Sequence, residues 1–232
     1  MSDLAVIGDA ILSPIRKRFP RTHRFPRLHR KHIVINIRGT NGSGKTTLAR
    51  TLLEKFKGVP LEIQRIGGDK LIVGYWLNTP GVPTFLVGPY RITTGGCDAI
   101  GPVAEAESIK PFDYICKLIR NSSKAGNIVF EGAIVATVTQ RWVDLAKDLP
   151  NTRWIFGFMD TPLEKCLKRV AKRREIRGDP RPLDPNKSVI PKHKAVLGSE
   201  KRLKEVGMDV RQINHRDALN TVLRWLGETD GH

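Results

Sequence analysis

From Lys31 onward, short apolar runs alternate with amphipathic stretches. His32–Arg38 (HIVINIR) is an apolar run stopped by a glycine, the pattern of a buried strand. Residues 45–57 place Leu48, Leu52, Leu53 and Phe56 at helical spacing. The same reading predicts further strands over 61–66, 127–130, 153–159 and 209–213, and further helices over 102–124, 140–149, 162–177 and 217–226. Pro162 falls near the first position of its helix, behind Thr161 as N-cap. Strands alternating with helices mean an α/β chain: a sheet of about five parallel strands, covered by helices on both faces, in three layers.

The junction of the first strand and first helix carries chemistry. Gly39-Thr40-Asn41-Gly42-Ser43-Gly44-Lys45-Thr46 matches GxxxxGK[ST] at every fixed position, in the strand–loop–helix context that this motif needs. Glycines let successive backbone N–H groups turn toward phosphate oxygens, and the helix N-terminus adds its partial positive charge. In that pattern Lys45 bridges the β- and γ-phosphates of ATP, the Thr46 hydroxyl completes the shell of a Mg²⁺ ion, and Thr47 reaches a phosphate. The third predicted strand is followed by Glu131, at the strand end where open α/β sheets meet ligands. Two readings compete there: a carboxylate that holds Mg²⁺ through water, and one satisfied by nearby backbone.

Composition narrows the class. With 40% hydrophobic and 27% charged residues over 232 positions, the chain is neither disordered nor collagen-like. Three cysteines, Cys97, Cys116 and Cys166, fit no zinc, redox or disulfide-scaffold spacing. No apolar run approaches the roughly 20 residues of a membrane helix, and the N-terminus lacks signal-peptide order. A cytoplasmic protein with no membrane partner is the expectation. The net charge is +17 and it is segregated: residues 1–32 hold +6 and residues 164–216 hold +9, leaving +2 for the rest. Such segregation is expected where phosphate-rich ligands are met. Residues 1–31 carry RFPRTH followed at once by RFPRLH, whose prolines interrupt any helix. They read as a basic, flexible arm ahead of one domain over 32–232. The arm grips nucleic-acid phosphates, with Phe19 and Phe25 stacking weakly, or is a solubilising tail or a mis-assigned start.

Residues 162–177 (PLEKCLKRVAKRREIR) set Arg169, Arg173 and Arg177 at i, i+4 and i+8, along one stripe. Leu163, Cys166, Leu167 and Val170 form the apolar stripe that docks this helix, and 178–182 (GDPRP) reads as a flap. Three aligned cations repel one another unless an anion lies between them. Here the chain resembles the nucleoside monophosphate kinase-like group of P-loop kinases, in which a helical lid carries arginines over the ATP phosphates. The resemblance implies a lid over about 168–190, with Arg169 and Arg173 on the γ-phosphoryl and Arg174 and Arg177 as secondary candidates. A solvated basic face is the competing reading.

The acceptor side is less generic. Asp69 follows Ile66-Gly67-Gly68. Resemblance to P-loop kinases, the polynucleotide kinase group among them, implies that it receives the acceptor hydroxyl's proton; the alternative is a helix cap. Farther on comes VGPYRITTGGCD (87–98). Its Tyr90 offers a stacking surface, Arg91 a phosphate ligand, and Asp98 points at substrate or caps the next helix. Cys97 has no His or Cys partner in reach and reads as packing. TTGGCD, FEG, TPLEKC and the arginine-rich helix together resemble a family of phage P-loop kinases over about residues 33–226. That resemblance extends to phage kinases that phosphorylate 5-hydroxymethyluracil in DNA. It implies ATP, Mg²⁺ and DNA as partners, and Lys45, Asp69, Asp98, Arg169 and Arg173 as catalytic residues. Three functions are weighed: a kinase acting on a hydroxyl in DNA, which the +17 charge favours; a nucleoside or nucleotide kinase with a compact pocket; and an ATP-dependent nucleic-acid-binding NTPase. The single acid after strand three and the lid argue against the last. The sequence carries no signal of oligomeric state.

Overall fold

A computed structural model of the chain describes residues 31–64, 70–91, 96–100, 110–132, 135–179 and 183–227. Strand β1 (His32–Arg38) lies between β5 (Asn127–Glu131) and β6 (Thr152–Met159), parallel to both. The sheet runs β2-β3-β4-β5-β1-β6-β7, where β2 is Val59–Gln64, β3 Lys70–Leu77, β4 Thr84–Val87 and β7 Val210–Ile213. Strands β4, β5, β1, β6 and β7 are mutually parallel, whereas β3 is antiparallel to both β2 and β4.

The sheet is therefore mixed and seven-stranded, a correction to the five parallel strands that the periodicity predicts. The physical reason lies between Lys70 and Val87. KLIVGYWL and TFLV are joined by Asn78-Thr79-Pro80-Gly81-Val82-Pro83, far too short for a parallel crossover of about a dozen residues, so the chain turns straight back. The Thr79 hydroxyl donates to the Val82 carbonyl at 2.6 Å and meets the Thr84 hydroxyl at 2.7 Å, closing that turn. Gly74 gives room for the Phe85 ring across the pair; a Cβ there would sit 2.4 Å from it.

Alternation along β1 separates the two helical layers. Ile33, Ile35 and Ile37 pack with Leu48 and Leu52 of α1 (Lys45–Lys55) and Trp225 of α6 (Ala218–Gly227). Val34 faces the other way, toward Tyr114 of α2 (Pro111–Ser122), Trp142 of α3 (Gln140–Lys147) and Leu203 of α5 (Pro185–Glu205). The described part of the helix expected over 102–124 begins at Pro111; residues 101–109 lie outside the described residues. Helix α5 goes beyond the sequence reading, which has a flap and no helix there. Asp184 caps it by accepting from the Asn186 amide at 3.0 Å, Pro185 stands at the first position, and Val189, Val196, Ser199 and Leu203 form its buried stripe. Pro191 inside the helix hides that periodicity. No helix among the described residues is long and apolar enough to cross a membrane.

On the Val34 face, β1 also buries Asn36 and Arg38 completely. The Arg38 guanidinium lies 5.3 Å from the Phe156 ring centroid and 5.8 Å from that of Phe158. It donates to Asn36 Oδ1 (2.5 Å), Ser199 Oγ (3.0 Å), the Val135 carbonyl (3.2 Å) and the Val138 carbonyl. It has no acidic partner among the described residues, and burial, with Arg202 nearby, pulls its pKa down to about 9. One side chain thus ties β1, α5 and the segment after β5 together beside the mouth of the sheet.

Candidate active site

The loop that leaves β1 is shaped by its neighbours. Gly42 has φ +82°, and a Cβ there would lie 2.4 Å from the Cys166 carbonyl of α4 (Leu163–Ile176), so the lid helix sits directly on the loop. The loop is braced from three elements. The Thr161 hydroxyl donates to the Ser43 carbonyl at 2.7 Å, the Thr40 hydroxyl to the Val189 carbonyl of α5 at 3.3 Å, and Arg169 Nη1 to the Gly42 carbonyl at 3.1 Å. Thr161 is thereby used for the loop and does not cap α4; Pro162 occupies that position. Helix α1 starts at Lys45 with no acidic residue in its first turn, so its free amide groups face the cleft uncontested.

Lys45 is buried, its ammonium donating to the Gly39 and Thr40 carbonyls at 2.7 and 3.2 Å. Burial lowers its pKa, against the pull of Glu131 and Asp98. Glu131 ends β5, 2% exposed, and its Oε1 accepts from the Thr46 hydroxyl at 3.0 Å. Burial raises its pKa above the usual carboxylate range, while Lys45 and Thr46 hold it down. The turn Gly96–Ala99 delivers Asp98 beside this pair. Gly96 (φ +57°) makes that approach, since a Cβ there would be 2.4 Å from Glu131 Oε1. Cys97 is buried, donates to the Val87 carbonyl at 3.4 Å and has its pKa pushed well above that of a free thiol by burial: a packing residue.

These groups converge on one cleft of about 530 Å³. Its floor is Asn41, Gly42, Gly44, Lys45, Thr46 and Thr47, its far wall Asp98 and Glu131, and its near wall the stripe Arg169, Arg173 and Arg177 of the lid. Gly39, Thr40 and Ser43 lie behind the floor. Partial burial, and then repulsion by Arg177, lowers the pKa of Arg173. Arg174 points elsewhere, paired with Asp179 through Nε (3.2 Å) and Nη2 (3.0 Å).

Two expectations are corrected. Tyr90, expected as a stacking surface, is 1% exposed and packed among Ile33, Leu48 and Leu86, so no ring face is open to a base. Its hydroxyl lies beside Glu131 without hydrogen-bond geometry. Arg91, expected on a phosphate, does not line the cleft. Its guanidinium donates to the Gly58 carbonyl at 3.3 Å and lies 5.5 Å from the Tyr75 ring centroid. Asp69 lies outside the described residues, as does the arm over 1–30. Sequence reasoning overlooked a second hollow of about 210 Å³ that shares Gly44, Thr47 and Arg169 with the main cleft. His215 and Arg216 line it, and Asp160 holds that turn by accepting from the His215 amide and ring Nδ1, each at 2.7 Å. The only cue was their place just after a strand end, Asn214-His215-Arg216.

A model of the family described as 5-hmdU DNA kinase matches residues 95–217, more than half of the chain. A 5-hmdU DNA kinase of Pseudomonas phage PaMx11 is 31% identical over 204 residues, covering 84% of this chain and 98% of that protein. Another, of Pseudomonas phage M6, is 32% identical over 195 residues, covering 81% and 94%. A third, of Delftia phage PhiW-14, is 27% identical over 191 residues, covering 80% and 69%. The near-complete coverage of the first two spans both walls of the cleft, and the chain belongs to the 5-hmdU DNA kinase family.

Proposed function

We propose that this protein is a P-loop kinase that transfers the γ-phosphate of ATP to the hydroxymethyl oxygen of 5-hydroxymethyluracil in DNA. The observation that carries the reading is the convergence of the 39–46 loop, the Thr46–Glu131 pair, Asp98 and the arginine stripe on a single cleft. The fold supports it: β1 is an inner strand between β5 and β6, its loop opens at the carboxyl ends of the parallel strands, and helices cover both faces.

In this reading the loop amides and the first turn of α1 bind the β- and γ-phosphates, and Lys45 leaves its loop carbonyls to bridge them. Arg169 and Arg173, with Arg177, surround the phosphoryl group in flight, where charge is spread over three oxygens. The nucleoside of ATP occupies the adjoining hollow beside His215 and Arg216. The acceptor oxygen forms a bond to phosphorus as the bond to ADP breaks, and its proton passes to Asp98, the exposed carboxylate on the far wall. Mg²⁺ fits the donor set: a hydroxyl and a buried carboxylate 3.0 Å apart are hard oxygen ligands, and this ion keeps several waters and needs few protein groups. Bound there, it would neutralise charge on the β- and γ-oxygens.

The test offers labelled ATP and Mg²⁺ with DNA containing 5-hydroxymethyluracil, the same DNA unmodified, and free 5-hydroxymethyl-dUMP. Label on the modified DNA alone is expected. Label on the free nucleotide with none on DNA would overturn the polymer acceptor and leave a nucleotide kinase.

A further inference from the structure

The lid helix ends in an apolar side chain that the cleft does not use. Ile176, the last residue of α4, is 75% exposed, more than any other large hydrophobic side chain among the described residues. Single exposed apolar residues are ordinary. The surroundings of this one are not. It lies in the run Lys172-Arg173-Arg174-Glu175-Ile176-Arg177, with Lys172 one turn back and Arg173 and Arg177 on the cleft wall. The other two, Leu197 (50%) and Val206 (53%), border hollows away from the arginine stripe.

Helix geometry places it at the rim. At about 100° per residue, Ile176 points within roughly 20° of Arg169 and roughly 40° of the outward-facing Lys172. Arg177 stands about 12 Å along the axis from Arg169, which holds the Gly42 carbonyl, so the outer end of the stripe is the part of the cleft wall farthest from that loop. Gly178 (φ +65°) then ends the helix, and a Cβ there would meet none of the described residues within 4 Å. Among the described residues the tip is an exposed apolar point with Lys172, Arg173 and Arg177 around it and Glu175 and Asp179 as the neighbouring acids, Asp179 being paired with Arg174.

We propose that Ile176 is a wedge for duplex DNA: it enters the base stack and fills the space left when the target base swings out into the cleft, while the exposed Lys172, one turn back, holds a flanking phosphate. This rests on the DNA-acceptor reading above. A hydroxymethyl group inside a duplex cannot reach the floor beside Lys45 unless its base leaves the stack, and unstacking is offset by an apolar side chain that takes its place. Charge complementarity fits this occupant, because duplex DNA presents phosphates on both sides of a thin apolar stack.

The experiment compares Ile176→Ala, Ile176→Phe and the wild-type chain on 5-hydroxymethyluracil in a duplex and in a single strand. The ratio of duplex to single-strand kcat/KM should fall about tenfold or more in Ile176→Ala and recover in Ile176→Phe. A duplex with 2-aminopurine at the target position should brighten on adding wild-type protein and stay dark with Ile176→Ala. An unchanged ratio, or brightening that survives the substitution, overturns the wedge. Wild-type protein that phosphorylates no DNA in either form overturns the DNA-acceptor reading, and the wedge with it. Because Ile176 is exposed, unaltered thermal unfolding separates these outcomes from misfolding.

Discussion

Two buried charges decide how the site behaves, and they differ in what surrounds them. Glu131 is desolvated, which raises its pKa, but it faces Lys45 and the Thr46 hydroxyl, which favour the carboxylate. In the Mg²⁺ role proposed for it, the protonated form would be a poor ligand. The acid limb of kcat/KM should therefore lie above the 4.5 of an ordinary glutamate. Raising Mg²⁺ from limiting to saturating concentration should move that limb to lower pH, because metal and proton compete; pH–rate profiles at two Mg²⁺ concentrations check this. In the unliganded protein the same shift costs stability: a carboxyl whose folded pKa is raised contributes stability that is fully present below pH 4.5 and lost as pH rises through the folded value. Arg38 is the opposite case, a cation with hydrogen bonds and no acidic partner among the described residues. Arg38→Met should keep the volume but deprive Asn36 Oδ1 and the Val138 carbonyl of their donor, lowering stability by about 2–4 kcal/mol in denaturant unfolding. Neither behaviour is visible in HIVINIR or VFEG, since burial is a property of what packs on top.

At the scale of elements, one helix, α4, carries two faces. Cys166 and Val170 lock it onto Val189 of α5, while Arg169, Arg173 and Arg177 face the cleft. Arg173→Ala should reduce kcat by about 10²–10³-fold with ATP binding retained. Arg174→Ala, one residue on, should lose a partly buried ion pair worth about 1 kcal/mol and change kcat by less than about threefold. Steady-state kinetics on the pair distinguish a stripe from a generally basic helix. The stripe was legible from its four-residue spacing. The hairpin of β3 and β4 was legible too, in two apolar runs split by a proline–glycine turn, yet it was absorbed into the acceptor region because no helix separates the runs. Trp142 shows what the layers add: its ring lies 4.7 Å from Phe112 and 4.9 Å from Phe130, and its Nε1 donates to the Val135 carbonyl at 3.1 Å. Trp142→Ala should cost about 3–5 kcal/mol by thermal or denaturant unfolding.

For the whole molecule, +17 concentrates in two segments, one of which includes the lid and α5. Binding to DNA should be dominated by phosphate neutralisation. Affinity for a DNA duplex should fall steeply, of the order of 10³-fold between 50 and 200 mM salt for about six phosphate contacts. Fluorescence anisotropy across a salt series tests it, and a flat response would point to a small acceptor.

The phosphate loop, Glu131 at a strand end and the arginine stripe are local patterns, set by spacing along one strand, loop or helix, and the amino-acid sequence by itself determined them. So were the alternation of strand and helix and the segregated charge. Tertiary structure decided the rest, because those questions concern residues brought together from distant positions. Tyr90 is aromatic and polar in either setting; only the packing of α1 and β4 around it makes it core. Arg91 is a cation in the right segment, and the Gly58 carbonyl takes it away from the cleft. Asp98 comes within reach of Glu131 because Gly96 allows the backbone to pass against that carboxylate. Helix α5, whose proline conceals its period, joins the loop only through contacts at Thr40 and Arg38 that no local pattern encodes.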